Sequence, residues 1–295
     1  MTGSRIIPGF EHHRLPGDGV EIDALVGGSG PPLLLLHGWP QTRMCWAAVA
    51  PALLESFTLV VPDLRGYGRS DKPASGDGTH AAYSKRAMAL DQIRAMRALG
   101  LERFAVAGHD RGARVAYRLA LDHPDAVTRL ACLDVVPTAD VWSGMGPEEA
   151  VKMWHWPMLA QPGGLPEKLI GVDPGWFVRY ILAHQSGEGF EFPAENLADY
   201  VAAADDPATV HGWCEDYRAG WTVDRDSDEA DRGRRIAAPL LVLWGESGSL
   251  KGKDAVALWK PWSENVEGER LPGGHFVPEE QPEKVIRHFR RFFGG

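Results

Sequence analysis

Short apolar runs alternate with amphipathic stretches along much of the chain, a pattern typical of a mostly parallel sheet with helices on both faces. The clearest run is Pro-Leu-Leu-Leu-Leu at 32–36, which predicts a strand buried on both faces. Apolar residues at helical spacing over 81–99 predict a helix that ends at Gly100. The other predicted elements of this part are a hairpin over 8–15 and 20–26, a helix over 41–55, strands at 57–61, 104–107 and 130–133, and a helix over 112–122.

The pattern changes between residues 136 and 235, where strand signals are scarce and Pro and Gly separate short helical runs. Six of the 11 Trp residues fall in this segment. The alternation then resumes with a strand at 239–244, a helix near 254–262, a strand ending at Leu271 and a helix from about 279. We therefore predict one α/β core made of residues 1–135 and 236–295, with a helical cap inserted at 136–235.

The strongest chemical signal is the sequence Gly108-His-Asp110-Arg-Gly112 between a predicted strand and a predicted helix. Two glycines let the backbone turn sharply, so that the side chain between them stands clear of the sheet. This is the geometry of a nucleophile elbow, with Asp110 at the position where ester hydrolases place Ser. The alternative is that Asp110 only caps the following helix.

A second signal is His275 in a Gly-rich loop after the last predicted strand. It can act as a general base on water, because strand ends of a parallel sheet share one edge. A third group would fix its tautomer, and Asp134 and Glu246 both follow strands. We prefer Asp134, since it ends a buried strand directly.

The sequence His37-Gly-Trp39-Pro also follows a predicted strand. The backbone N–H groups of Trp39 and Arg111 would converge on the oxygen of Asp110 when water attacks its ester. These signals, in this order, resemble the α/β-hydrolase fold superfamily. The resemblance implies a mostly parallel, eight-stranded sheet with helices on both faces and an inserted helical cap.

A carboxylate nucleophile changes the chemistry from attack on acyl carbon to displacement at saturated carbon. The substrate then carries a halide or an epoxide oxygen as leaving group. Arg111 and Arg114 lie one helical turn apart beside Asp110 and suit a bidentate grip on a substrate carboxylate. The alternative is that both arginines point to solvent or pair with acidic neighbours.

The elbow with its two arginines, together with Trp154-His155-Trp156, Asp216-Tyr217-Arg-Ala-Gly and Pro-Gly-Gly-His275-Phe, resembles the fluoroacetate dehalogenase family. The resemblance implies that Asp110 displaces the halide and that His275 with Asp134 hydrolyses the resulting ester. It also implies that Arg111 and Arg114 hold the carboxylate and that the cap binds the halide. The implied halide ligands are His155, Trp156 and Tyr217.

The same resemblance implies hydrolytic dehalogenation of short 2-haloacids to 2-hydroxy acids, with water as co-substrate, no cofactor, no metal and a homodimer. Two departures stand out. The family commonly has Phe at the position of Trp39, and aromatic residues at the positions of Pro157 and Met158. We expect the second departure to alter the cap side of the pocket, so that larger acids or chloro-acids are also substrates.

The nearest alternative is an epoxide hydrolase, which uses the same Asp/His/Asp set. Epoxide hydrolases use two cap tyrosines to protonate the epoxide oxygen. Tyr180, Tyr200 and Tyr217 are candidates for this role, so the epoxide hydrolase alternative stays open. It usually has Trp at the position of Arg111. A haloalkane dehalogenase would gain nothing from two buried arginines beside a neutral substrate. A non-catalytic receptor on this fold typically lacks a triad member, and all three are present here.

The amino-acid composition of the chain argues against several classes of binding partner. The formal net charge of −9 argues against a nucleic-acid or anionic-membrane surface. Three widely spaced cysteines give no disulfide framework and fit a reducing compartment. No apolar run reaches the length of a signal peptide or a membrane span. We therefore predict a cytoplasmic protein that binds no membrane.

Overall fold

The computed structural model describes residues 7–75 and 78–294, and eight strands within these ranges form one sheet. In chain order they are β1 Phe10–Pro16, β2 Glu21–Gly28, β3 Pro32–Leu36, β4 Thr58–Pro62, β5 Phe104–His109, β6 Val127–Leu133, β7 Leu240–Gly245 and β8 Val266–Leu271. Their order across the sheet is β1-β2-β4-β3-β5-β6-β7-β8. Only the β1–β2 and β2–β4 pairs are antiparallel among the described strands. The prediction of a mostly parallel, eight-stranded sheet is confirmed.

Thirteen α-helices accompany the sheet in the described residues. They are α1 Lys85–Ala98, α2 Arg111–Asp122, α3 Thr138–Ser143, α4 Pro147–Lys152, α5 His155–Leu159, α6 Leu165–Ile170, α7 Pro174–Gln185, α8 Ala194–Ala204, α9 Pro207–Trp221, α10 Val223–Ala230, α11 Ala255–Trp259, α12 Val277–Glu280 and α13 Pro282–Phe293. Helices α3 to α10 follow one another between β6 and β7 with no strand among them in the described chain. They occupy the segment that the sequence predicts as a cap.

The central strands are apolar because both of their faces are covered. Every residue of β5 and of β7 is buried, as are Leu33 to Leu36 of β3. Strands β3, β5, β6 and β7 are neighbours in the sheet and run parallel. Their carboxyl ends therefore lie along one edge, and the loops that leave this edge carry the residues predicted to be catalytic.

The prediction of a continuous helix over 41–55 is wrong. Two short 3-10 helices occupy this region, at Arg43–Trp46 and Ala50–Leu53. The N–H groups of Cys45, Ala47 and Val49 bond three residues back, to Thr42, Met44 and Trp46. Pro51 lacks a backbone N–H and its ring clashes with the preceding turn, so a continuous α-helix cannot pass through it.

The helix predicted over 81–99 begins later than its apolar pattern indicates. A 3-10 turn at Ala81–Tyr83 comes first, and α1 starts at Lys85. Ser84 adopts an extended conformation and its side chain accepts a hydrogen bond from the Ala87 N–H, as an N-cap residue does. This boundary matters because it places Lys85 in the first turn of α1, close to the site described below.

No helix in the described ranges 7–75 and 78–294 has the length and apolar character needed to cross a membrane. Within the same ranges, no group of three or more His, Cys, Asp and Glu side chains is arranged to hold a metal ion. Cys45, Cys132 and Cys214 are free thiols, and all three are buried.

Candidate active site

Asp110 lies at the sharp turn between β5 and α2, where its backbone adopts a left-handed conformation with φ of 45°. A Cβ atom on Gly112 would lie 2.4 Å from the His37 carbonyl oxygen, and one on Gly108 would lie equally close to the backbone of α2. The turn therefore requires both glycines. The Asp110 side chain makes no capping hydrogen bond to α2, so the helix-cap alternative is wrong. Its Oδ2 atom accepts a hydrogen bond from the Trp39 N–H at 3.1 Å.

Of the two predicted backbone donors, Trp39 thus contacts the Asp110 carboxylate directly. Arg111 occupies the first position of α2, where a backbone N–H has no partner within the helix. No hydrogen bond joins this N–H to the Asp110 carboxylate among the described residues. Of the two predicted backbone donors, the Trp39 N–H is therefore the one that contacts the Asp110 carboxylate among the described residues.

His275 and Asp134 lie beside Asp110. The Nδ1 atom of His275 is 2.6 Å from Asp134 Oδ2, and its Nε2 atom is 3.9 Å from Asp110 Oδ1. A carboxylate only accepts, so Nδ1 carries a hydrogen and Nε2 faces Asp110. Asp134 also accepts hydrogen bonds from the N–H groups of Gly245 and Ser249 and from the Ser249 hydroxyl. Glu246, the other candidate partner, is exposed.

Two carboxylates that face one imidazole shift its charge state. Burial on its own lowers the pKa of His275, but Asp110 and Asp134 raise it to about 10. Burial alone would raise the pKa of Asp110, whereas His275 and Arg111 hold it well below its ordinary value. Asp110 is therefore ionised throughout the neutral range, as a carboxylate nucleophile has to be.

Arg111 is fully buried and is held by Asp216 of α9. Its Nε and Nη2 atoms donate to the Asp216 carboxylate at 3.1 and 2.6 Å, and Nη2 also donates to the Asp216 carbonyl at 2.9 Å. Lys85 forms an ion pair with the same carboxylate, and the Tyr67 hydroxyl donates to it at 2.6 Å. Arg111 Nη1 has no hydrogen-bond partner among the described residues. The structure thus gives Arg111 an acidic neighbour, which was the alternative to a direct grip on the substrate.

Arg114 differs from Arg111 because it lines the cavity beside Asp110. Its Nη1 atom donates to the Val136 carbonyl at 2.9 Å and to the Thr138 hydroxyl at 3.2 Å. Its Cζ atom lies 4.6 Å from the centre of the Trp156 ring, at cation–π distance. Burial and the charge of Arg111 lower the pKa of Arg114. No carboxylate is bonded to it in the described chain, so its charge is available to an anionic ligand in the cavity.

The cap supplies His155, Trp156 and Tyr217, and all three line the same cavity. The His155 ring stacks on Trp39 with a centroid distance of 5.4 Å and an interplanar angle of 7°. Tyr217 meets Trp156 edge to face at 5.8 Å. Burial lowers the pKa of His155 to about 3 and raises that of Tyr217 well above its ordinary value. At neutral pH, one imidazole N–H, one indole N–H and one phenol O–H are therefore available as donors.

These residues enclose a cavity of about 290 Å³ between core and cap. Its wall also contains apolar side chains of the cap, of the loop after β7 and of α11. Those residues are Val141, Met145, Met153, Leu250 and Leu258, with Glu149, Lys152 and Lys253 also in its wall. A cavity that combines a few polar donors with apolar side chains suits an organic acid.

The two departures from the family pattern lie outside this wall. Neither Pro157 nor Met158 lines the cavity, so neither contacts a ligand in it directly, and the acceptance of larger acids or chloro-acids stays a prediction. Trp39 is buried and does not line the cavity either. It acts on the site through its stacked contact with His155 and through its backbone N–H.

Sequence reasoning missed Lys85 and overlooked the part that Asp216 plays. Charged residues on a helix are normally exposed, so nothing local marks either of them as buried. The one available signal is position, because Asp216 immediately precedes Tyr217 in a stretch that resembles the dehalogenase family. The contacts themselves join residues more than 100 positions apart.

Comparison with known proteins shows the family to which the chain belongs. Residues 31–282 match the alpha/beta hydrolase fold family, and the chain belongs to it. A crystal structure from Nostoc sp PCC 7120, described as an alpha/beta hydrolase, superposes with a TM-score of 0.95 at 45% identity and covers 98% of this chain and 99% of its own.

A fluoroacetate dehalogenase from Burkholderia sp is 46% identical over 286 residues, which are 96% of this chain and 94% of the relative. A soluble epoxide hydrolase from Corynebacterium sp. (strain C12) is 35% identical over 288 residues, which are 96% of each chain. Within the fold family, the chain belongs to the fluoroacetate dehalogenase family. The predictions of that family and of a hydrolytic enzyme are confirmed.

Proposed function

We propose that this protein hydrolyses short 2-haloacids, such as fluoroacetate, to 2-hydroxy acids and halide. The observation that carries the proposal is the Asp110 carboxyl group at the elbow, facing His275 in a cavity that also holds Arg114 and three cap donors. We further propose that residues 136–235 act as the cap that closes this cavity. The identity to a fluoroacetate dehalogenase supports the same substrate class.

In the first step, Asp110 Oδ1 attacks the carbon that bears the halogen. The other oxygen, Oδ2, is held by the Trp39 N–H, which leaves Oδ1 as the nucleophile. The carbon–halogen bond breaks, the halide leaves with the bonding electron pair, and an ester forms on Asp110. The N–H and O–H donors of His155, Trp156 and Tyr217 stabilise the departing halide, and fluoride needs such donors most because it is small and strongly hydrated.

Arg114 positions the substrate for this step. It pairs with the substrate carboxylate and offsets the repulsion between that group and the Asp110 carboxylate. Arg111 is fully buried and does not line the cavity, so it supports the same anion through its charge alone. Because Asp216 holds its guanidinium, Arg111 plays the smaller part in the carboxylate grip.

In the second step, water attacks the carbonyl carbon of the Asp110 ester, and His275 Nε2 takes the water proton. The distance of 3.9 Å between Nε2 and Asp110 Oδ1 leaves this nitrogen without a direct bond to the carboxylate. Ester formation removes the negative charge that helps to raise the pKa of His275, so the imidazole becomes a better source of a lone pair for this step. The tetrahedral intermediate then breaks its bond to the original Asp110 oxygen, His275 returns its proton to that oxygen, and the hydroxy acid leaves. Asp110 takes its new oxygen from water and releases the second water proton to solvent, which restores the carboxylate.

The epoxide hydrolase alternative is favoured by the 35% identical relative and needs two tyrosines that protonate the epoxide oxygen. All six tyrosines of the chain lie in its described part, and Tyr217 is the one that lines the cavity. Tyr180 is exposed on the cap, and Tyr200 is buried with its hydroxyl bonded to Glu279. This arrangement supports the dehalogenase over the epoxide hydrolase.

A substrate panel separates the two functions. The purified protein is incubated with fluoroacetate, chloroacetate and 2-chloropropionate, and halide and hydroxy acid are measured together, with styrene oxide as the epoxide. Asp110→Asn is the matched control, because it keeps the shape of the side chain and removes the nucleophile. We expect equal amounts of halide and hydroxy acid and no diol. Diol formation without halide release would contradict the proposal.

The homodimer and the cytoplasmic location stay predictions. The dimer follows from the family resemblance, and the location from the sequence arguments above. Light scattering on the purified protein tests the first, and fractionation of the source cells with an antibody against this chain tests the second.

A further inference from the structure

A buried carboxyl group, Glu279, lies behind the candidate active site and takes no part in the proposed reaction. It belongs to α12, four residues after His275, and only 7% of its surface is exposed. Its Oε1 atom accepts hydrogen bonds from Asn196 Nδ2 at 2.7 Å and from the Tyr200 hydroxyl at 3.0 Å. Its Oε2 atom lies 2.5 Å from Gln41 Nε2, which is placed as the donor. No cation contacts this carboxyl group in the described chain.

The Gln41 amide connects Glu279 to the catalytic loop. Its Oε1 atom lies 3.0 Å from His109 Nδ1, and His109 Nε2 lies 2.8 Å from the backbone carbonyl oxygen of His275. Gln41 and His109 are both fully buried. His109 also directly precedes Asp110, so the same ring touches the elbow and the loop that carries the proposed base.

The donors and acceptors of this chain of contacts allow few arrangements. The His275 carbonyl oxygen only accepts, so His109 Nε2 must carry a hydrogen. A neutral imidazole has one N–H, and His109 Nδ1 must then accept from the NH₂ group of Gln41. This pattern requires the Gln41 amide to be turned by 180° about its terminal bond, so that its nitrogen and oxygen exchange places. The Gln41 oxygen then faces Glu279 Oε2, and two acceptor oxygens can meet there only if Glu279 carries a proton.

The charge states fit this arrangement. Burial lowers the pKa of His109 to about 4 and raises the pKa of Glu279 to about 8, so both are neutral at pH 7. The other arrangement pairs a doubly protonated His109 with an ionised Glu279 and contains the same number of protons. It would place two charges in a buried site, separated by the Gln41 amide.

We propose that protonated Glu279, Gln41 and neutral His109 form a hydrogen-bond relay that fixes the backbone of His275, and that these three are positioning residues for ester hydrolysis. The role in hydrolysis rests on the proposed function, whereas the protonation pattern of the relay does not.

Loss of the Glu279 proton would reverse the relay. The NH₂ group of Gln41 would turn to the carboxylate, and its oxygen would face His109 Nδ1. The single hydrogen of His109 would move to Nδ1, which leaves the lone pair of Nε2 against the His275 carbonyl oxygen. The loop that carries the base would lose a buried hydrogen bond, so we expect the second step to slow at alkaline pH.

The titratable groups around Glu279 come from four elements. Glu280 follows it on α12, but its carboxylate accepts the N–H groups of Gly187, Gly274 and Phe276. Tyr200 of α8 and the Cys45 thiol of the first 3-10 helix stay neutral, because burial raises both pKa values well above normal. His109 faces it through Gln41 from the end of β5. None of these groups supplies a positive charge at neutral pH that would favour ionised Glu279.

The test compares wild type with Glu279→Gln, whose amide N–H can replace the carboxyl O–H. Infrared difference spectra recorded across a pH titration should show a protonated-carboxyl C=O band in wild type at pH 7. We expect this band to disappear as the pH passes about 8 and to be missing in the variant. This measurement needs no turnover, so it decides the protonation of Glu279 even if the protein fails to release halide.

Kinetics test the positioning role. In wild type, kcat for halide release should fall as the pH passes about 8, and Glu279→Gln should lack this fall. Gln41→Met keeps the volume and breaks both contacts. It should lower kcat by about tenfold or more with little change in KM, since two buried hydrogen bonds are lost and Gln41 does not line the cavity. A band that persists in Glu279→Gln would overturn the protonated relay, and identical pH profiles of wild type and variant would overturn the positioning role.

Discussion

Asp216 is the counter-ion of two buried cations, and its replacement by Asn is the sharpest test of the packing behind the cavity. Asp216, Arg111 and Lys85 have buried side chains, and the charged groups of both cations contact the same carboxylate. Asp216 also holds the pKa of Arg111 well above normal against the effect of burial. The substitution Asp216→Asn keeps the size of the side chain and removes its charge.

Removal of one partner from a buried ion pair costs about 3–5 kcal/mol, because the other charge stays in a site of low polarity. Here two cations lose the partner, but Asp224 lies 3.5 Å from Lys85 and remains as an acceptor for it. We therefore expect Asp216→Asn to lower the free energy of unfolding by about 3 kcal/mol, the lower end of that range.

Urea unfolding followed by far-UV circular dichroism measures this change. The matched control is the double variant Lys85→Met/Asp216→Asn, which removes one charge of each sign and leaves Arg111 and Asp224. The double variant should regain a substantial part of the lost free energy of unfolding. A double-mutant cycle then gives the coupling free energy between Lys85 and Asp216. A loss below about 1 kcal/mol in the single variant would refute the reasoning, since exposed ion pairs contribute that little.

Three further changes test separate parts of the site. Arg114→Lys should lower kcat/KM for 2-haloacids by about tenfold or more, because one charge-assisted bidentate contact is lost, and an equal loss on a neutral haloalkane would remove Arg114 from carboxylate binding. His155→Ala should slow fluoride release from fluoroacetate several-fold more than chloride release from chloroacetate, and an unchanged ratio would argue against halide binding by His155. Glu279→Gln should become more stable relative to wild type as the pH rises from 4.5 to about 8, by up to about 1.4 kcal/mol per pH unit. The reason is that Glu279 of the wild type ionises at a lower pH in the unfolded chain than in the folded one, so that the wild type loses stability over this range. Denaturant unfolding at several pH values measures the difference between the two proteins, and a difference that does not change with pH would contradict the prediction.

The parts of the fold that were predictable are those in which one local rule decides the outcome. Strand β3 is a run of apolar residues and is buried on both faces, so hydrophobicity alone places it. The elbow was predictable because any side chain at position 108 or 112 would collide with neighbouring backbone atoms, so that only Gly fits there. His275 and Asp134 were predictable because both follow strands whose carboxyl ends meet at one edge of the sheet.

Other features depend on contacts between distant parts of the chain. The region 41–55 is apolar enough for a helix, yet Pro51 and the burial of Arg43 against Asp23 and Asp63 produce two 3-10 turns instead. The partner of Arg111 is a residue of α9 in the cap, 105 positions away. No local pattern indicates such a pair, and for this reason the sequence could identify the arginines of the elbow without showing that only Arg114 lines the cavity.

The central claim is that Asp110 forms an ester with the substrate and that His275 activates the water that cleaves it. His275→Asn should allow the first step and block the second, because Asn offers no basic nitrogen toward Asp110. Mass spectrometry of a protease digest, after incubation of this variant with fluoroacetate, tests this directly. We predict that the peptide containing Asp110 gains the mass of the acid fragment and that one equivalent of fluoride is released per protein chain. An unmodified peptide together with an intact fold, or a modification at any other residue, would contradict the claim.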